Sequence, residues 1–197
     1  MKNIELKISI NDFSEIIPLL RKAKAKHVGE MHQIDTYYCC RNKRLKIRNI
    51  DNKEYALISY KRPDRANGKV SNYEMFDISP KEINSVRSSM ERKFKQGVIV
   101  EKNRDLWIWK NTRIHLDIVS RLGNFLEIET IVDNRVFKSA KKEFNDIFKL
   151  LDLKKYKKIS NSYSDLLSEK SKIIPRKAVK FDQSVLVELF THASRPV

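Results

Sequence analysis

Cysteine is nearly missing from this chain, and the two present, Cys39 and Cys40, are adjacent. Neighbouring cysteines are a poor start for a structural disulfide, so the composition points to a reducing, cytoplasmic setting. Long apolar runs are missing too. Nothing approaches the roughly 20 residues of a membrane-spanning helix. The N-terminus enters an alternating pattern at once, so no signal or transit peptide is expected, and no internal repeat is visible. Acidic residues are scarce beside basic ones: 25 Asp and Glu against 41 Lys and Arg, a formal charge of +16. That excess favours an anionic partner, but nucleic acid, an acidic membrane and a phosphorylated metabolite all qualify. The 197 residues suffice for one domain with a real core.

What the chain has in quantity is alternation. Ile4, Leu6, Ile8 and Ile10 are interleaved with Asn3, Glu5, Lys7 and Ser9, the period of a half-buried strand. "IDTYYC", "RLKIRNI", "ALISYKRP", "SNYEMFDI", "VIVEKNRDLWIW" and the two halves of "TRIHLDIVSRLGNFLEIET" repeat the pattern. That makes about eight strands, enough to close a barrel around a cavity. Helices are expected from about Asn11 to Lys26, and from the capping box Ser79–Glu82 to about Phe94. Two more are expected over the spacing of Phe137, Phe144, Ile147, Phe148 and Leu151, and over Tyr163–Glu169. From about Ser171 the chain turns basic and then weakly amphipathic, which reads as an extension, 171–197, to a domain of residues 1–170.

The polar phase of the strands is heavily charged. It carries the bases Lys7, Arg44, Lys46, Arg48, Lys61, Lys102, Arg104 and Arg113 and the acids Glu5, Glu74, Asp117, Glu127 and Glu129. An open antiparallel sheet with one wet face would alternate in the same way. Two features favour a curved sheet with its charges inside. Apolar helices are available for the greasy side only, and Glu127 and Glu129 share a strand face about 7 Å apart. Paired carboxylates suit a hard divalent cation such as Mg²⁺ or Mn²⁺. Eight bases against five acids leave three positive charges in excess. Buried excess charge calls for a counter-ion. A triphosphate of about −4 with one divalent cation comes to about −2, which answers that excess better than a single phosphate.

The blocks "NIELK", "HQIDTYY", "RLKIRNID", "SYKRPD", "SNYE", "VEKNRDLW", "TRIHLDIVSRLGNFLEIE" and "SYSDLL", spread over residues 1–170, resemble the CYTH family, or triphosphate tunnel metalloenzymes. Within it the likeness is to the branch labelled class IV adenylate cyclase. The resemblance implies an α+β fold, a closed eight-stranded antiparallel β-barrel forming a triphosphate tunnel with helices packed outside. It implies Glu5, Glu127 and Glu129 as metal-binding residues with Asp117 assisting. It also implies Lys7, Lys46, Arg48, Lys61, Lys102, Arg104 and Arg113 as phosphate ligands, and Glu74 as a residue orienting Arg48 or Lys61. Tyr37 matches a tyrosine that in some triphosphatase members of the family pairs with the N-terminal lysine, here Lys7, to handle a proton. One position departs from the pattern: the family's Glu-x-Glu-x-Lys reads Asn3-x-Glu5-x-Lys7 here, which removes one possible metal ligand.

The expected chemistry is Mg²⁺- or Mn²⁺-assisted attack at a phosphorus of ATP, tripolyphosphate or thiamine triphosphate. In a cyclase, ATP gives cyclic AMP and pyrophosphate; in a triphosphatase, water is the nucleophile. No motif declares an adenine pocket. The rival of a different class is a non-catalytic binder of polyphosphate, nucleotide or RNA, in which Trp107 and Trp109 would stack on bases. Alternating strand tryptophans more often pack under helices. His32 and His115 have no second soft ligand at short spacing and read as ordinary polar or core histidines. Asn67-Gly68 is a hairpin turn signal.

Overall fold

The computed structural model describes residues 3–41, 43–61, 72–132, 136–171, 181, 184–187 and 189, with the side chains at 61, 72, 73 and 171 excepted. The Asn67-Gly68 turn lies outside these residues, as does the side chain of Lys61. The strands are β1 (Asn3–Ile10), β2 (Lys26–Tyr38), β3 (Arg44–Ile50), β4 (Glu54–Lys61), β5 (Asn72–Ile78), β6 (Gln96–Trp109), β7 (Thr112–Val119), β8 (Gly123–Ile131) and the two-residue β9 (Lys158–Ile159). The helices are α1 (Ile16–Lys22), α2 (Ile83–Lys93), α3 (Phe137–Leu150) and α4 (Tyr163–Ser171). The α+β, antiparallel expectation holds, with β9 added to the eight strands legible from alternation; two residues are too few to show a period. Among the described residues no helix is long and apolar enough to cross a membrane.

Helix α1 is shorter than its apolar spacing suggests. Asp12 accepts the Ser14 backbone N–H at 2.8 Å and so holds the preceding stretch as a turn. Lys24, in the left-handed region at φ 56°, stops the helix at the other end. The Ser79–Glu82 capping box is not made: Ser79 Oγ donates to the Glu82 side chain at 2.7 Å, the Glu82 backbone N–H donates to the Ser79 carbonyl at 3.0 Å, and α2 starts after this turn, at Ile83, with no side-chain cap.

The chain forms two compact units, each assembled from separate segments. The first is residues 1–32, 63–72 and 102–163; the second is 33–62, 73–101 and 164–197. In the first, the hydrogen-bonded order is β6-β7-β8-β1-β9. Register sets Lys7 opposite Glu127, Glu5 opposite Glu129, Glu127 opposite His115, Glu129 opposite Arg113 and Asp117 opposite Arg104. The other face presents Ile4, Ile8, Ile10, Ile114, Leu116, Leu126 and Ile128. These make one apolar core with Ile16 and Leu20 of α1 and with Ala140, Phe144 and Ile147 of α3. Both helices therefore cover the greasy side, and the charged side keeps its own face. Glu143 of α3 is buried and accepts hydrogen bonds from the Asn111 backbone (2.8 Å) and the Thr112 hydroxyl (2.9 Å), which ties the helix to β7.

In the second unit the order is β5-β4-β3-β2. Leu45, Ile47 and Leu57 pack against Ile83, Val86, Met90 and Phe94 of the α2 segment. Two described residues of the stretch expected as an extension belong to this core: Phe181 and Leu189 are buried in it, and the Phe181 ring lies 6.1 Å from that of Phe94. Phe181→Ala is expected to cost about 3 kcal/mol. The fall should be read as a lower urea midpoint, and an unchanged midpoint would mean the aromatic contact carries no stability.

Candidate functional site

Alternation fixes which side chains share a face, and register fixes which of them meet. On the polar face of the first unit the meeting point is Asp117. It is 0% exposed, and four donors reach its two oxygens: Arg104 Nε (2.7 Å) on Oδ1, and Arg104 Nη2 (2.7 Å), Lys102 Nζ (3.0 Å) and the Tyr163 hydroxyl (2.9 Å) on Oδ2. A carboxylate offers about four lone-pair sites, so Asp117 is saturated by the protein's own donors. Burial alone would raise its pKa; Arg104 and Lys102 outweigh that and hold it below the ordinary carboxylate range.

Glu127 stands beside it. Lys7 Nζ is 3.3 Å from Oε1 and Arg104 Nη2 is 3.1 Å from Oε2. Here too burial pushes the pKa up, while Lys7 and Arg104 keep the carboxyl well below its usual value. Lys7 and Lys102 lie 4.2 and 5.1 Å from the centroid of the Tyr163 ring, in cation–π range. Burial, then the charges of Asp117 and Glu127, keep the Tyr163 phenol protonated, so it can only donate to Asp117. His115 is 5% exposed. Its Nδ1 has no hydrogen-bond partner and lies 3.6 Å from Glu127 Oε2, too far for a hydrogen bond. Burial and then Arg104 lower its pKa, so the imidazole is neutral at pH 7. The group thus holds three cations and two carboxylates in a nearly water-free place, one positive charge in excess.

Next to it on the same face lies a corner of opposite character. Glu5 faces Glu129 across β1 and β8, Arg113 Nη1 is 3.5 Å from Glu129 Oε2, and the Asn3 amide nitrogen donates to Glu129 Oε1. Among the described residues no three His, Cys, Asp or Glu side chains converge as a metal cage. The donors that do fit a hard cation are the oxygens of this corner: the Glu5 and Glu129 carboxylates and Asn3 Oδ1, which is buried and has no hydrogen-bond partner.

The second unit has its own charged group, centred on Asp35, which is 3% exposed. Lys46 Nζ donates to it at 2.6 Å, Arg48 at 2.9 and 3.1 Å, and Gln33 at 3.1 Å. The Tyr37 ring lies 5.4 Å from Lys46 Nζ. Burial, then Tyr60 and Asp35, push the Tyr37 phenol well above its ordinary value. Arg44 makes a two-pronged contact with Asp165 at 2.7 and 3.1 Å.

Seven of the residues singled out in the sequence fall in the first unit's two groups: Glu5, Lys7, Lys102, Arg104, Asp117, Glu127 and Glu129, with Arg113 at their edge. Lys46 and Arg48 gather on Asp35. Glu74 does not orient Arg48: it is exposed, accepting from Lys43 Nζ (2.6 Å) and Ser59 Oγ (3.3 Å), while Arg48 takes Asp35. The reason is register. Ser59 pairs with Leu45, so it belongs to the phase opposite that of Arg48. Lys7, matched by resemblance with Tyr37, has Tyr163 as its aromatic neighbour. Asp35 and Tyr163 were not singled out, and His115 was read as an ordinary polar or core histidine. Asp35 and His115 do sit in the polar phase of their strands, which is a signal; Tyr163 offers none until the fold brings its hydroxyl to Asp117. Trp107 is buried in the core, its indole N–H donating to Asp105 at 2.8 Å, so it has no face free to stack on a base.

Comparison with known proteins bears on the family and the fold. The family model described as CYTH domain matches residues 1–163. A Methanocaldococcus jannaschii protein named "Putative adenylate cyclase" is 26% identical over 176 residues, covering 84% of this chain and 98% of the relative. A solved Pyrococcus horikoshii structure is 26% identical with a TM-score of 0.72, over 84% of this chain and 99% of that one. A Hippeastrum "putative adenylyl cyclase", said to reveal a dominant triphosphatase activity, has a TM-score of 0.62 at 15% identity, over 89% of this chain and 98% of that one. At that identity it speaks for the fold alone.

Proposed function

The chain belongs to the CYTH domain family, and on that premise we propose that it is a divalent-metal-dependent enzyme acting on a triphosphate. The observation that carries the reading is the buried group of Lys7, Lys102 and Arg104 on Asp117 and Glu127, one positive charge in excess and next to an oxygen-rich corner. Cations already held in place, away from water, stabilise charge developing on phosphate oxygens without having to reorganise.

In this reading Lys7, Lys102, Arg104 and Arg113 grip the phosphates, and Lys46, Arg48 and Lys61 are proposed as further ligands on the family resemblance. Asp117 holds Lys102 and Arg104 at the right separation and assists the metal only through them. Glu5, Glu129 and Glu127 are the metal-binding residues, Glu127 becoming available as phosphate oxygens take over Lys7 and Arg104. Bound Mg²⁺ or Mn²⁺ would neutralise phosphate charge and make the phosphorus more open to attack. Tyr37, kept protonated by burial, is proposed on the family resemblance to handle a proton together with Lys7, and Glu74 stays at the periphery. Residues 1–170 carry the activity, Phe181 and Leu189 reinforce the second unit's core, and the adjacent Cys39 and Cys40, outside any disulfide, suit the cytoplasm.

The same grip serves two reactions. In the cyclase reaction the ribose 3′-oxygen of ATP attacks the α-phosphorus and pyrophosphate leaves. In the triphosphatase reaction water attacks and orthophosphate leaves, with tripolyphosphate, a nucleoside triphosphate or thiamine triphosphate as substrate. The test is a panel of ATP, tripolyphosphate and thiamine triphosphate with Mg²⁺, Mn²⁺ or EDTA. Cyclic AMP with pyrophosphate identifies a cyclase and orthophosphate a triphosphatase, both abolished by EDTA. No product from any substrate would leave a polyphosphate-binding protein instead.

A further inference from the structure

Asn3 is an amide where charge dominates. It is 2% exposed, it precedes Glu5 by two residues on the same strand face, and its nitrogen donates to Glu129. Its orientation is not arbitrary: turning the amide over would set Oδ1 against the Glu129 carboxylate, acceptor against acceptor. With the nitrogen committed to Glu129, Oδ1 is left buried and without a hydrogen-bond partner. Leaving such an acceptor bare is unfavourable, because the hydration it gives up on burial is not replaced. Among the described residues only two buried side-chain atoms are left so, Asn3 Oδ1 and His115 Nδ1, and both lie on this polar face.

Resting on the metal-dependent reading above, we propose that Asn3 has two jobs at the cation position: its nitrogen fixes the Glu129 carboxylate, and its Oδ1 is a neutral oxygen ligand to the divalent cation. A neutral ligand has a consequence that a carboxylate would not. Glu5 and Glu129 bring two negative charges and Arg113, 3.5 Å from Glu129, returns one. The corner alone therefore attracts a divalent cation weakly. The charge it lacks arrives on the phosphates, so the cation enters as a metal–phosphate complex and the free protein stays largely metal-free.

The test is Mn²⁺ binding followed by the electron paramagnetic resonance of the free ion, with and without tripolyphosphate, on the wild type, Asn3→Asp and Asn3→Leu. Without tripolyphosphate the wild type should bind weakly and Asn3→Asp about tenfold or more tightly, because a third carboxylate replaces the substrate's charge. With tripolyphosphate, Asn3→Leu should bind about tenfold or more weakly than the wild type. Equal affinities in all three proteins, with the wild type still taking up Mn²⁺ alongside tripolyphosphate, would overturn the role of Asn3 and leave the metal-dependent reading standing. Mn²⁺ uptake by none of them, even with tripolyphosphate, would overturn both. Asn3→Asp keeps the side-chain volume, so it remains informative if the leucine variant folds poorly.

Discussion

Asp117→Asn lowers the stability of the ligand-free protein by about 3–5 kcal/mol, the usual cost of removing one partner from a buried charge group. Asparagine fills the same space but removes the charge and turns one of the two acceptor oxygens into a donor, so at least one of the contacts now made by Arg104, Lys102 and the Tyr163 hydroxyl sets donor against donor. For a chain of this length the melting temperature should fall by roughly 6–20 °C. Two companions make the result specific. Tripolyphosphate should raise the melting temperature more in the variant than in the wild type, because the freed cations gain a partner. The pH dependence should follow the carboxylates. The folded-state pKa values of Asp117 and Glu127 are depressed, so their contribution is full above the unfolded value of about 4 and is lost as pH falls through the folded one. The gap between wild type and variant is therefore widest near neutrality and narrows in acid. A variant as stable as the wild type at pH 7 would mean that Asp117 does not hold the group together.

Glu127→Ala should separate catalysis from binding. The loss removes a proposed metal ligand and releases Lys7 and Arg104, now 3.3 and 3.1 Å from its oxygens. Turnover on the preferred triphosphate should drop by about 10²–10³, the scale on which removing one pre-placed electrostatic group acts. Metal-free tripolyphosphate should bind as well or better, since two buried cations have lost their internal partner. Titration calorimetry in EDTA and product formation under Mn²⁺ measure the two halves. A protein that only binds polyphosphate has no turnover to lose, and unaltered turnover in the variant would remove Glu127 from the machinery.

The charged faces of β1, β7 and β8 were legible because alternation is a local property: Glu5 and Lys7, Arg113 and Asp117, and Glu127 and Glu129 must each share a side if the strand is half-buried. Helix α1 was legible in kind but not in length, since an Asp12 turn and a left-handed Lys24 cut short an apolar spacing that continues past them. Glu74 parts from Arg48, one of the two partners expected for it, for a different reason. Its phase within β5 was readable, but the company it keeps depends on β4 register, which sets Ser59 beside Leu45 and away from Arg48. Asp35 shows the converse: it was visible in the polar phase, and only the pairing of β2 with β3 placed it opposite Arg48 and within reach of Lys46.

The sequence by itself determined the partition of side chains between an oily face and an ionic one, and the sign of the excess charge, because the period of a strand and the count of Lys, Arg, Asp and Glu depend on neighbours along the chain alone. Tertiary structure alone decided who partners whom. Asp117 receives the hydroxyl of Tyr163 from 46 residues away, Asn3 meets Glu129 across 126, and Phe181 finds Phe94. Such meetings are set by strand register and by packing of the opposite face, and neither leaves a periodic trace in the string of residues.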